Sequence, residues 1–291
     1  MLIAVPAPIA QEALPADPAI ACGECDRWNA PQEPFRVFGN TYYVGTAGLS
    51  AVVIASDRGH ILIDGALPQS APLIAASIRA LGFQLRDVRL ILNSHEHYDH
   101  AGGIAALQRA SGARVAASPA TAIALRQGHP TPDDPQYRSG LNVRFSPVEN
   151  VETISDRTTL PVGSLAVTAH FTPGHTPGAT TWSWRSCEGT RCVDVVYADS
   201  LTAVSDDGFA FTGDAAHPSI VERFERSIDR VAQLPCDVIL APHPWVLNLA
   251  GKAARLKERP ADTPFVEPHA CRAFAAGARK RLEQRVAAER K

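Results

Sequence analysis

Between residues 35 and 64 the apolar positions come in short runs, 35–38, 41–44, 51–54 and 60–64, broken by Gly, Asn, Ser or Asp. Their length and β-branched and aromatic content predict strands joined by tight turns. From 71 to 81 the spacing becomes helical and stops at Gly82, as a helix C-terminus does. Residues 88–92 are almost continuously apolar, the pattern of a strand covered on both faces. A helix is expected from near Ala101 to about Gly112, then a strand at 114–117 and a helix to about Arg126. A Pro- and Gly-rich loop at 128–142 follows, and so long a loop in a compact domain is more often functional than idle.

The pattern then repeats in kind. Strands are expected at 151–154, 165–171, 180–184 and 193–197, a helix at 222–234, a strand at 238–241 and a charged helix at 270–289. Strands and helices alternating in this way predict an α/β chain, with sheets covered by helices. Residues 35–291 read as one domain of two similar halves, and residues 1–34 as a lead. Residues 1–10 are apolar and small but lack a basic start, and are expected to be the remnant of a secretion signal.

The stretch that organises the chain is Ser94-His95-Glu96-His97-Tyr98-Asp99-His100-Ala101-Gly102-Gly103, directly after the buried strand at 88–92. His95, His97, Asp99 and His100 are groups that bind a borderline metal. Side chains alternate along an extended strand end, so His95 and His97 can face one point. Asp99 and His100 fall at the turn into the next helix, which re-aims them at a second point nearby. Two further histidines stand after strands: His175 in the turn Thr172-Pro173-Gly174-His175-Thr176-Pro177-Gly178, and His243 between Pro242 and Pro244. His170 is expected to be a core or supporting residue. His60, His129, His217 and His269 lie in no such motif.

Composition narrows the function classes. The chain of 291 residues is 45% hydrophobic and can bury a large core. A formal net charge of -2 gives no footprint for nucleic acid or an anionic membrane, and no apolar run is long enough to span a bilayer. Six cysteines, none in a catalytic setting, fit an oxidising compartment. Cys187 and Cys192 have hairpin-tip spacing, and a Cys236–Cys271 bridge would tie the last helix to the body. Whether Cys22 and Cys25 pair is left open by the sequence.

With these motifs in order, the chain from about Phe35 onward resembles the metallo-β-lactamase superfamily, and most of all the third subclass of class B β-lactamases, the AIM-like group. Ser-His-x-His-x-Asp-His, Pro-Gly-His-Thr-Pro-Gly, the Ala198-Asp199-Ser200-Leu201 run and the late Pro-His-Pro carry the likeness. The resemblance implies an αββα sandwich, two mixed β-sheets flanked by helices with a metal site along one edge. It implies two zinc ions per chain, one held by His95, His97 and His175 and the other by Asp99, His100 and His243. Asp64 would support the ligands from behind. Asp99 would also be catalytic by orienting the attacking water. Ser200, Thr202 and Gln136 would meet substrate, and Trp28 would close over it. The implied reaction is hydrolysis of a small-molecule β-lactam by metal-activated water in a periplasmic or secreted monomer with no nucleic-acid or membrane partner. The family's N-terminal disulfide is not matched, because its partner position falls at Ala47.

A lactonase or thioesterase of the same fold is the competing reading, and a zinc-binding scaffold without activity is a third. Lactonases and thioesterases bridge their metals with an aspartate near the position of Asp199. Adjacent residues on a strand face opposite ways, so only one of Asp199 and Ser200 can meet the metals.

Overall fold

In the computed structural model, which describes residues 14–137, 144–215, 217–259 and 262–291, twelve strands form two sheets. The expectation of a signal remnant at 1–10 and part of the 128–142 loop lie outside the described residues. Strands β1 (Phe35–Phe38), β2 (Thr41–Tyr43), β3 (Val52–Ile54), β4 (His60–Ile63), β5 (Val88–Leu92), β6 (Arg114–Ala117) and β7 (Val151–Thr153) lie side by side in chain order. They are antiparallel as far as β4 and parallel from β4 to β7. The second sheet runs β12 (Val238–Leu240), β11 (Arg191–Tyr197), β10 (Thr180–Glu188), β9 (Leu165–Phe171), β8 (Thr159–Val162), with only the β11/β12 pair parallel. Both sheets are therefore mixed, as the fold class requires.

Alternation sorts the strand residues into layers. Ile61, Ile63, Leu90 and Leu92 join Val167, Ala169, Trp182 and Val195 in the core between the sheets. Leu62 and Ile91 point the other way. They meet Ile74 and Ile78 of helix α2 (Ala71–Ala80), Ile104 and Leu107 of α4 (Ile104–Ser111) and Leu125 of α5 (Pro119–Gln127). On the far side, Val196 and Ile239 meet Phe224, Ile228 and Val231 of α6 (Val221–Gln233) and Ala275, Ala278 and Leu282 of α8 (Ala270–Glu289). Both β4 and β5 are buried on each face, and this is why they read as unbroken apolar runs.

Three elements were not expected. Strand β8 carries Pro161, which an edge strand tolerates because its outer N–H has no ladder to join. Helix α7 (Leu249–Glu258) buries only Leu249 and Ala253, too little to show a helical period. The short helix α1 (Cys25–Trp28) belongs to the lead, which is fastened to the body between residues 14 and 34. The Gln69 side chain exchanges two hydrogen bonds with the Ile20 backbone, at 3.2 and 2.9 Å. Ala47 N donates to Ala30 O at 2.9 Å, so backbone pairing fastens the lead at the position where relatives were expected to place a disulfide. The six cysteines form three bridges, Cys22–Cys25, Cys187–Cys192 and Cys236–Cys271. Cys187 and Cys192 face each other across the β10/β11 register.

Candidate metal centre

The chemistry-bearing residues gather where β4, β5, β11 and β12 end together, because these strands run parallel in pairs and deliver their C-terminal loops to one rim. The loop after β5 is welded to the second sheet. Thr180 N donates to Ser94 O at 2.7 Å, and Trp182 Nε1 donates to Asn93 O at 3.0 Å.

Two clusters result. Ligand atoms of His95, His97 and His175 lie within 4.8 Å of one another, and so do those of Asp99, His100 and His243. The clusters touch, since the rings of His95 and His100 are 4.4 Å apart. The helical turn starts at Tyr98, three residues before the expected Ala101. Asp99 and His100 thus sit inside that turn, a short helix α3 (Tyr98–Ala101), which separates them in direction from His95 and His97. The Asp99 Oδ2 atom lies 3.1 Å from His100 Nε2 and 3.6 Å from His243 Nε2.

Each imidazole of the first cluster is held from behind by a different partner. His95 Nδ1 is 2.7 Å from Asp199 Oδ1, with both side chains fully buried. His97 Nε2 faces both oxygens of Asp134. The His175 Nδ1 atom meets the Thr202 carbonyl at 3.0 Å and the Thr202 hydroxyl at 3.1 Å. An imidazole that donates from one nitrogen keeps its lone pair on the other. The free lone pairs are therefore Nε2 of His95 and His175 but Nδ1 of His97. His95 Nε2 is buried with no hydrogen-bond partner, which is costly unless a cation is to be met there.

Electrostatics agree with a cation site. Burial, followed by repulsion from the neighbouring imidazoles, pushes His95 well below its ordinary value. The same two causes lower His175 to about 3. Burial and His100 lower His243 to about 4. Burial alone would lower His97 as well, but the Asp134 carboxylate and its hydrogen bond raise it. Asp99 is opposed by burial yet held low by His100 and His243. His95, His175 and His243 are held neutral, and His97, whose Nε2 proton is kept by Asp134, needs only to give up its Nδ1 proton to a cation; beside the ionised Asp99 carboxylate they make a donor set suited to a borderline divalent metal such as zinc.

Asp64 sits at positive φ just past β4 and accepts from Asn93 Nδ2, Ser94 N, Ser94 Oγ and Tyr197 OH at 2.7 to 2.9 Å. It thereby fixes the residue immediately before His95. Glu96, drawn by the sequence into the metal stretch, points away from the histidines. It accepts from Thr121 Oγ1, Thr176 Oγ1 and Gly178 N, and pins the turn that carries His175. Of the residues expected to meet substrate, Ser200 is buried and follows Asp199 in the chain, and Gln136 donates its backbone N–H to Asp134 at 2.7 Å. Thr202 faces His175 from behind. The Trp28 ring lies 5.6 Å from His243 and stacks at 6.4 Å on Trp245, itself 4.3 Å from His243. His170 bonds Ser183 Oγ at 2.8 Å, away from both clusters.

Sequence reasoning missed Asp134 and Trp245 and gave Glu96 no role. Only for Trp245, two residues after His243, was there a local signal. Asp134 stands 37 positions from its histidine.

Residues 45–269 match the family model described as "Metallo-beta-lactamase superfamily". Among solved structures, the chain is 48% identical to the Rm3 metallo-beta-lactamase, with a TM-score of 0.89 over 94% of this chain and 100% of that one. It is 50% identical to MEM-A1, a subclass B3 metallo-beta-lactamase isolated from a soil metagenome library, with a TM-score of 0.86 over 90% and 98% of the two chains. Among curated proteins it is 32% identical to a hydroxyacylglutathione hydrolase of Anaeromyxobacter dehalogenans (strain 2CP-C). That match spans 132 residues, 45% of this chain and only 40% of the relative's length.

Proposed function

The chain belongs to the metallo-beta-lactamase superfamily, and from that premise we propose that it is a zinc-dependent β-lactamase of the third subclass, hydrolysing the cyclic amide of penicillins, cephalosporins and carbapenems. Two solved neighbours near 50% identity that align over almost their whole length are named as metallo-beta-lactamases, which favours this reading over others on the same fold.

Two zinc ions fit the donor sets. His95 Nε2, His97 Nδ1 and His175 Nε2 would hold one, and Asp99, His100 and His243 would hold the other. Bound there, the metal supplies Lewis acidity and brings the pKa of a water toward about 7. The protein's part is to aim and to dry the site. Asp199, Asp134 and the Thr202 carbonyl fix the three tautomers, Asp64 fixes Ser94, and Glu96 fixes the His175 turn. Asp99 accepts a hydrogen bond from the attacking water and so directs its lone pair at the amide carbonyl. Ser200 and Gln136 bind the substrate's polar edge, and Trp28 closes over the ring. Thr202 acts through His175.

One observation carries the choice between lactamase and lactonase or thioesterase. Asp199 accepts from His95 Nδ1, on the side of the ring turned away from the ligand cluster. Held behind the His95 ring and belonging to neither ligand cluster, it stands away from the place a bridge between two metals would need, which supports the lactamase reading. Three disulfides support export to the periplasm or beyond, and no helix among the described residues is long and apolar enough to cross a membrane. The working unit is a monomer acting on a small molecule. Nitrocefin turnover that is lost to a chelator and restored by zinc is the expected result. Hydrolysis of an acyl-homoserine lactone or an acyl-glutathione thioester in preference to nitrocefin would overturn the proposal.

A further inference from the structure

Behind the turn that carries His175 lies a cavity of about 260 Å³, lined by Phe171, Pro173 and a basic face of α6. Arg223, Arg226 and Arg230 stand at i, i+3 and i+7 and so share one side of the helix, next to its buried Phe224, Ser227 and Ile228. The acidic residues Glu222, Glu225 and Asp229 occupy the adjoining outer side, and Asp229 is taken by Arg279 of α8 at 2.5 Å. Charge on α6 is thus segregated, with the cationic stripe facing the cavity.

The three arginines are not equally committed. Arg230 Nη1 contacts both oxygens of Asp156 at 2.7 and 2.8 Å and the Phe171 carbonyl at 3.0 Å, so it builds the floor. Arg226 has only a loose contact with Glu222, 3.6 Å apart with both side chains mostly in water, worth little. Arg223 forms no ion pair among the described residues, and its Nε is buried without a hydrogen-bond partner. Arg223 nevertheless lines the cavity, so its guanidinium charge there is offset by no ion pair among the described residues. Three guanidiniums therefore line the cavity against the one carboxylate of Asp156, with Glu222 loosely beside Arg226. His170, one position before Phe171, responds to that excess. Burial first, then Arg230 and Arg157, lower it, although Asp156 pulls the other way.

We propose that this cavity is a second ligand site, separate from the metal centre, that takes the phosphoryl group of a small organic phosphate on Arg223 and Arg226. Planar guanidiniums match phosphoryl oxygens in forked pairs, and the Phe171–Pro173 wall gives an apolar body something to lie against. The site adjoins the catalytic turn, since Ser227 Oγ donates to Pro173 O at 2.7 Å, two residues before His175. Inorganic phosphate carries the same head group and is the alternative source.

The test is titration calorimetry on the zinc-loaded protein with phenyl phosphate and with inorganic phosphate at matched ionic strength. Arg223→Gln and Arg226→Glu are run alongside, with nitrocefin turnover as a check on folding and on the metal centre. Saturable phenyl phosphate binding weakened roughly tenfold or more in both variants, with turnover unchanged, is the expected result. Tighter binding of phenyl phosphate than of inorganic phosphate assigns the organic ligand, and equal binding assigns free phosphate to the same site. Undiminished binding in both variants, or binding competitive with nitrocefin, would place the anion on the metals and overturn the proposal. Calorimetry reads this site even if nitrocefin is not turned over, so failure here is distinct from failure of the β-lactamase assignment.

Discussion

His97 presents its Nε2 to both carboxylate oxygens of Asp134, at 3.2 and 3.1 Å, with Asp134 buried. The contact keeps a proton on Nε2, so the nitrogen His97 offers to a cation is Nδ1, the reverse of His95 and His175, and a metal binding there must displace the Nδ1 proton that Asp134 favours. Asp134→Ala is therefore expected to weaken zinc binding about 10- to 100-fold. Chelator competition measures this independently of turnover. Asp134→Asn, which keeps an acceptor oxygen, should recover part of the loss.

The two clusters can be separated by substitution. Asp99→Ala removes the anionic member of one cluster and leaves the three histidines of the other intact. Metal content should fall toward one zinc per chain and turnover by orders of magnitude. Ser200→Ala should leave metal content unchanged and raise KM or reduce turnover modestly. Zinc stoichiometry measured beside steady-state kinetics decides both points, and loss of zinc in Ser200→Ala would reverse the assignment.

Gly178 has no room for a side chain. A Cβ there would run into Thr121 Oγ1, and would lie 2.5 Å from Thr121 N and 2.8 Å from Glu96 Oε2. Gly178→Ala should shift the turn that carries His175 and cost about 1–3 kcal/mol, read as a lower denaturation midpoint together with reduced zinc affinity.

The Cys236–Cys271 bridge joins the start of β12 to α8 across 35 positions. Cys271→Ser should destabilise the oxidised protein by about 3–4 kcal/mol in the chain-entropy model. Unreduced mass spectrometry should find all three bridges in exported protein.

His60 is buried and edge-on to Phe83 at 4.8 Å, and its Nδ1 accepts from Ser56 N at 3.3 Å. Burial is the largest cause of its lowered pKa. The unfolded chain then binds a proton at a higher pH than the folded one, so this contribution is complete above the ordinary value of 6.5 and is lost as pH falls toward the lowered folded value. Urea midpoints measured between about pH 7.5 and 5.5 should fall further for the wild type than for His60→Gln.

Elements whose signal is local could be read from the chain alone. Strands β4 and β5 are legible because burial on both faces demands an unbroken apolar run, and His95, His97, Asp99 and His100 are legible because they are packed into six positions after one of those strands. Cys187 and Cys192 were legible because a hairpin brings near neighbours in sequence together. Partners far apart along the chain are set only by folding. Asp134 meets His97 across 37 positions, Asp199 meets His95 across 104, and Glu96 reaches Gly178 across 82. An aspartate in a loop and one at a strand end carry no mark of which histidine they will face. That is fixed when parallel strands of two different sheets bring their ends to a common rim. The direction of Asp199, on which the choice of chemistry turns, belongs to that second class, because alternation along a strand says that Asp199 and Ser200 diverge but not which of them turns toward the metals.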